Sequence, residues 1–229
     1  MAAGVVHAQC RPDVAASLQT IDPALTAGGD LRELDVDLDG DGQPEHVVGV
    51  ETGESVVLLV FRCSALRAHY VFTDEHDPSG TLSGAPHHIE RMQLEARAGQ
   101  SWLRVEVERA DGTSDFDASR RTFLLLHLSG DALTPAFTCV THDDFEERDY
   151  VSARWQLRRT VLLPTGASRA IRVRRRFAQF DGRRRTSSTG EWVRYTLDGT
   201  HFVDAGGAFV CPDDTPERDA AGGADAAGD

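Results

Sequence analysis

The chain has 229 residues, of which 40% are hydrophobic, and a formal net charge of −13. That length and apolar content suit one large β domain and exclude a globally disordered chain. No run approaches 18 apolar residues, which excludes a transmembrane helix from the sequence pattern.

The charge is unevenly placed. Residues 151–194 hold 12 Arg against Asp181 and Glu191, while the acids gather elsewhere. Lys and Asn are absent and Ile and Tyr are scarce, a bias towards G/C-rich codons that points to a high-GC bacterial genome. Every basic position other than His is therefore Arg, which tempers the meaning of an Arg cluster.

Taken in chain order, residues 1–9 resemble the end of a secretory signal, with Val6-His7-Ala8 fitting a small-x-small cleavage site before Gln9. An ordinary disordered start is the alternative. Pro12 to Leu18 predicts a short helix, with Pro near a first helical position and an Ala-rich run behind it. From Leu31 onward the pattern is β. Glu45–Val50, Ser55–Arg62 and Ala68–Thr73 predict successive strands, and Val56 to Phe61, apolar on both faces, predicts a central one.

Hairpins are predicted next at Ile89–Arg97 with Ser101–Arg109, and at Arg121–Leu128 with Ala132–Val140. Arg154–Leu163 with Arg169–Phe180, and Glu191–Leu197 with His201–Val203 around Asp198-Gly199, complete the series. The expected fold is all-β: an antiparallel meander forming a sandwich or barrel-like sheet, with a short N-terminal helix. Residues 10–211 are expected to be a single β domain, and residues 212–229, rich in Asp, Ala and Gly, a disordered tail.

The four cysteines, Cys10, Cys63, Cys139 and Cys211, form no Cys-x-x-Cys pair, so zinc and thioredoxin-type chemistry are disfavoured. An even count at wide spacing suits two disulfides in an oxidising compartment. Three connectivities are open. Cys63–Cys139 within the β core and Cys10–Cys211 across the ends is the expected one, with four buried thiols as the alternative.

The stretch with the clearest chemistry is Asp37-Leu38-Asp39-Gly40-Asp41-Gly42-Gln43-Pro44-Glu45. Four carboxylates in nine glycine-broken residues repel one another unless a cation joins them. Ca²⁺ takes six to eight oxygens at flexible angles. Asp37, Asp39, Asp41 and Glu45 would supply carboxylates and Gln43 its carbonyl. An EF-hand does not fit. Its twelfth position falls on Val48 counted from Asp37, or on His46 counted from Asp35, where a bidentate Glu is needed.

The loop resembles the FG-GAP/VCBS family of calcium loops, found in integrin-type propellers and many secreted bacterial proteins. Their pattern, Asp-x-Asp/Asn-x-Asp-Gly-x-x-Asp, leads straight into a strand. Asp37, Asp39, Asp41, Gly42 and Glu45 occupy the matching places, with Glu45 where Asp is usual. The resemblance covers residues 31–61 and occurs once, so it implies a Ca²⁺ loop and not a seven-bladed fold. A solvated acidic turn is the bland alternative.

Thr141 to Asp149 contains His142, Asp143 and Asp144 and is expected to be an acidic surface loop, with His87-His88 a pair of exposed loop histidines. Arg172, Arg174 and Arg176 alternate with apolar residues, and Arg183, Arg184 and Arg185 follow in a predicted turn. Together these six could meet an anionic ligand, with Trp155, Trp192 and Tyr195 near in sequence for stacking. A charged solvated face is the plainer reading, and the acidic total disfavours nucleic acid.

No nucleophile elbow, zincin, phosphate-loop or dinucleotide motif is present. The sequence therefore favours a secreted or periplasmic Ca²⁺-stabilised binding or structural module over an enzyme. Its partner would be an envelope or extracellular protein or glycan. The alternatives are an envelope-polymer hydrolase using His142, Asp143 or Asp144, and an anion-binding module using the arginines.

Overall fold

A computed structural model describes residues 11–27, 29, 31–74, 82, 84–97, 99–112, 116–147, 154–163, 169–181 and 184–212. The expected signal remnant and nearly all of the expected tail lie outside these residues. Among the described residues one helix, α1 (Val14–Ile21), precedes twelve strands. It starts two residues later than Pro12 because the Asp13 side chain caps it, accepting the Ala16 N–H at 2.9 Å.

The strands are β1 (Leu31–Val36), β2 (Glu45–Glu51), β3 (Val56–Arg62), β4 (Ala65–Phe72), β5 (His87–Arg97) and β6 (Gln100–Gly112). They continue with β7 (Phe116–Ser129), β8 (Ala132–Glu147), β9 (Arg154–Leu162), β10 (Ala170–Asp181), β11 (Arg184–Asp198) and β12 (His201–Val203). Strands β1–β4 form one sheet and β5–β12 another. Within each, every strand pairs antiparallel with its sequence neighbour, so the expected all-β meander is what forms.

Period-two alternation sets the layers. On β3, the predicted central strand, Val56, Leu58 and Val60 face the large sheet, while Val57, Leu59 and Phe61 pack under Leu18 of α1. On β7, Leu124, Leu126 and Leu128 join the first of these clusters. Phe123 and Leu125 point the other way, into a second cluster with Trp102, Phe137, Ile171, Tyr195 and Phe202. Strands β6–β8 are thus dry on one face and, around Trp102, Phe123, Leu125 and Phe137, on part of the other. The small sheet covers one, and the β9–β12 half curls over the other, bringing Phe202 of β12 to 5.2 Å from Trp102 of β6. The molecule is a sandwich on one side and barrel-like on the other. Gly49 marks a close approach between the sheets: a Cβ there would lie 2.6 Å from Ile89 Cδ1.

Cys139 is bonded to Cys211, which overturns the expected Cys63–Cys139 and Cys10–Cys211 pairs. The reason is strand parity. Cys139 projects into the second cluster, away from the small sheet, whereas Cys63 lies in the β3–β4 turn at φ 56°. Backbone bonds from Cys211 N–H to Thr138 O and from Thr138 N–H to Phe209 O lay the chain end beside β8. Cys63 is also disulfide-bonded; Cys10 is outside the described residues. No helix among the described residues is long and apolar enough to cross a membrane.

Candidate metal centre and the arginine-rich face

The β1–β2 ladder ends at the Val36–Glu45 pair, so residues 37–44 form a loop whose two ends are held on adjacent strands. Gly40 and Gly42, at φ 79° and 84°, supply left-handed turns that side chains resist. These turns aim the backbone N–H groups inward. Asp37 accepts from Gly40 and Gly42 at 2.8 and 3.0 Å, Asp39 from Asp41 at 3.1 Å, and Asp41 from Gln43 at 2.8 Å. Leu38, 1% exposed, anchors the loop in the first core cluster, and its N–H donates to Glu45 at 2.9 Å.

One carboxylate oxygen from each of Asp37, Asp39 and Glu45 lies within 4.8 Å of the others, a spacing able to hold a metal ion. Of the five expected ligands, these three come together. The Asp41 carboxylate turns to Arg62 at 2.8 Å, and Gln43 is exposed.

Two residues that sequence reading missed share the cluster. Arg62, at the end of β3, pairs with Glu45, with Asp41 and, at 3.4 Å, with Asp39. Arg67 of β4 reaches Asp39 at 2.6 Å and Glu45 at 2.9 Å. Glu45 is fully buried and needs such partners, since an unpaired buried charge is costly. Burial opposes ionisation of Asp39, but the Arg67 hydrogen bond, the Asp41 N–H and the charges of Arg67 and Arg62 outweigh it, so its carboxyl lies below the usual range. Asp37 receives no guanidinium in any ion pair among the described residues. The β2–β3 register was the available signal for Arg62: His46 faces Phe61, and one further pair places Arg62 opposite Glu45.

Residues 141–147, expected as a surface loop, continue strand β8. Asp143 is buried because Arg120, 2% exposed, meets it at 2.8 Å and also holds Asp74 at 2.9 Å. Ser119 Oγ and Asp144 Oδ2 lie 3.2 and 3.3 Å from the same nitrogen, His142 Nε2. A nucleophilic relay needs the two on opposite ring nitrogens. Arg158 clamps both Asp144 oxygens. Burial pushes the Asp144 carboxyl up, and the Arg158 and His142 hydrogen bonds bring it below its ordinary value, a poor position for a general acid. His87, expected exposed, is 3% exposed at the start of β5, where it packs edge-on to Phe72. His88 is exposed beside Glu51 at 3.0 Å.

The described members of the six candidate anion-binding arginines divide between two aromatic rings and solvent. Arg172 and Arg174 lie over the Trp192 ring, at 5.7 and 4.8 Å from its centroid. Arg185 lies 5.7 Å from the Phe180 ring, which Arg154 also covers at 4.7 Å. Arg176 and Arg184 are exposed, the latter opening strand β11 where a turn was expected, and Arg183 is outside the described residues. A register shift between Arg174 and Arg176 breaks the alternation that the sequence suggests.

Comparison of the chain with protein-family models, with curated proteins and with solved structures finds no match.

Proposed function

We propose that this chain is a β domain of the bacterial envelope or extracellular space, braced by one Ca²⁺ at the β1–β2 corner, and that it serves as a binding or structural module. The observation that carries this reading is the convergence of Asp37, Asp39 and Glu45 oxygens within 4.8 Å around a fully buried Glu45. Charge supports it. In the ion pairs described at this corner Arg62 and Arg67 meet Asp39, Asp41, Glu45 and Asp131, so with Asp37 the carboxylates outnumber the guanidinium groups and a cation would offset the excess. Hard oxygen ligands select Ca²⁺ over softer metals. The resemblance to FG-GAP/VCBS loops belongs to the same proposal. The Cys139–Cys211 disulfide suits an oxidising compartment. Ca²⁺ here would be structural, because the cluster joins two strand ends to a loop anchored in the core.

Thermal unfolding with Ca²⁺, Mg²⁺ or chelator tests the proposal. With affinity in the extracellular-module range, 1 mM Ca²⁺ stabilises the fold by about 0.5–1.5 kcal/mol. Asp37→Asn keeps one of the two acceptors that serve the Gly40 and Gly42 N–H groups and removes a charge, so it abolishes the Ca²⁺-dependent rise and lowers the chelator curve by about 1 kcal/mol, the value of the hydrogen bond lost. Identical curves under all conditions would remove the metal from the account.

A further inference from the structure

The curled half of the large sheet encloses a second feature, independent of the calcium corner. Where the second core cluster ends, its concave face opens into a hollow of about 580 Å³. Phe123 and Val161 belong to both the cluster and the hollow's lining, so one part of the wall is apolar. Leu162 and Leu163 extend it. The remaining wall is polar and mostly basic, with Thr141 and His142 beside the arginines. Arg97, Arg104, Arg121, Arg159 and Arg172 line it, and Glu106 is the one carboxylate residue among the described lining residues.

Carboxylates beside the hollow orient these side chains. Arg104 is held by Glu95 at 3.2 Å and Glu106 at 2.5 Å, and its guanidinium lies 5.1 Å from the Phe123 centroid. Arg97 shares Glu95 at 3.3 Å. Arg121 reaches Glu108 at 3.2 Å and Glu90 at 4.0 Å through one terminal nitrogen, while its buried Nε has no acceptor. Arg159, 8% exposed, donates to the carbonyls of Val140 and Pro212. Arg172 lies over Trp192 and pairs with no carboxylate among the described residues. A guanidinium offers five donors in a planar fork that matches the oxygens of a carboxylate or phosphate. Here several such forks border a hollow whose other wall is hydrocarbon.

We propose that this hollow binds an amphiphilic anion: a phosphate or carboxylate head group met by Arg121 and Arg172, with an apolar chain lying along Phe123, Val161 and Leu162. Neither group alone explains the lining. A head group by itself leaves the apolar wall wet, and an apolar chain by itself lays hydrocarbon against a wall of five arginines, of which Arg172 pairs with no carboxylate among the described residues.

Calorimetric titration of the full chain with dodecyl phosphate below its micelle concentration tests this, beside inorganic phosphate and dodecyl maltoside. Dodecyl phosphate saturates one site. Arg121→Gln and Arg172→Gln each weaken it about tenfold, the loss expected for a charge-assisted hydrogen bond. Leu162→Ser, at a position 38% exposed, weakens dodecyl phosphate as well. Unliganded melting curves of the three variants report folding separately. A head-group-only site would bind inorganic phosphate as tightly as dodecyl phosphate, and that result overturns the amphiphile assignment. Equal affinity for dodecyl maltoside, no binding, or binding indifferent to both arginine substitutions overturns the site.

Discussion

The β1–β2 corner and the arginine-lined hollow use the same cation in opposite ways. At the corner, Arg62 and Arg67 point at a fully buried Glu45 and at Asp39, so their charges are consumed inside the fold. In the hollow, Arg104 and Arg121 are steered by carboxylates beside them while Arg172 rests on a ring. The lesson is that an arginine's role follows from what strand register sets opposite it. Facing a buried carboxylate, it closes a charge balance; bordering a concave wall, it keeps donors for a ligand.

That contrast can be broken first at the corner. Glu45→Ala leaves two guanidinium groups and the Leu38 N–H without their shared acceptor. The expected loss is about 3–5 kcal/mol, the cost of breaking a buried ion pair from one side. Urea unfolding measures it, and a loss below about 1 kcal/mol would mean that the corner tolerates the change as an exposed pair does. Next in size is the disulfide beneath the curled half. Replacing Cys139 and Cys211 together by Ala opens a closure of 72 residues, with an expected loss of about 2–4 kcal/mol. An unchanged denaturation midpoint would show that packing alone holds the chain end.

The pH dependence reaches beyond these two regions, to His87 and Asp144. Burial holds His87 below its ordinary range and the Arg109 charge adds to this; the Gly53 carbonyl and Asp74 oppose it, and His88 reinforces it. Below pH about 6.5 the unfolded chain takes up a proton that folded His87 refuses, so stability falls with acid. His87→Gln should flatten the stability profile between pH 7 and 5. Asp39 and Asp144 act lower. Burial raises each, but hydrogen bonds from Arg67 to Asp39, and from Arg158 and His142 to Asp144, win. With depressed folded values, their contribution is complete above pH about 4 and disappears as pH drops through those values. Denaturant titrations from pH 7 to 3 should show both descents; a flat profile contradicts these assignments. The smallest effect belongs to the exposed ring. Trp192→Ala removes the surface beneath Arg172 and Arg174 and should cost about 0.5–1 kcal/mol in the same assay. A larger loss would mean that Trp192 helps hold the β10–β11 pair.

Much of the fold was legible because alternation is local. Val56 to Phe61 announced a central strand, and β3 is buried along nearly all its length. The acidic loop was legible for the same reason: Asp37, Asp39 and Glu45 are close in sequence, and two glycines permit the bends that bring them together. His142, Asp143 and His87 misled because polarity was taken to mean exposure. Asp143 is buried beside Arg120 of the neighbouring strand, which carries the opposite charge. Strand β11 begins at Arg184, well before the predicted Glu191, because β10 supplies a hydrogen-bonding partner that polar Thr186-Ser187-Ser188 does not advertise.

By itself, then, the order of residues determined the β-meander, most of its turns and the gathering of acids beside β2, since each depends on neighbours within a few positions. Only the tertiary structure decided that Cys139 meets Cys211, that Arg62 and Arg67 enter the acidic cluster, and that five arginines border a half-apolar hollow. Those outcomes depend on register across strands and on the curl of an eight-stranded sheet, which join residues far apart in the chain and are set by the packing of whole faces.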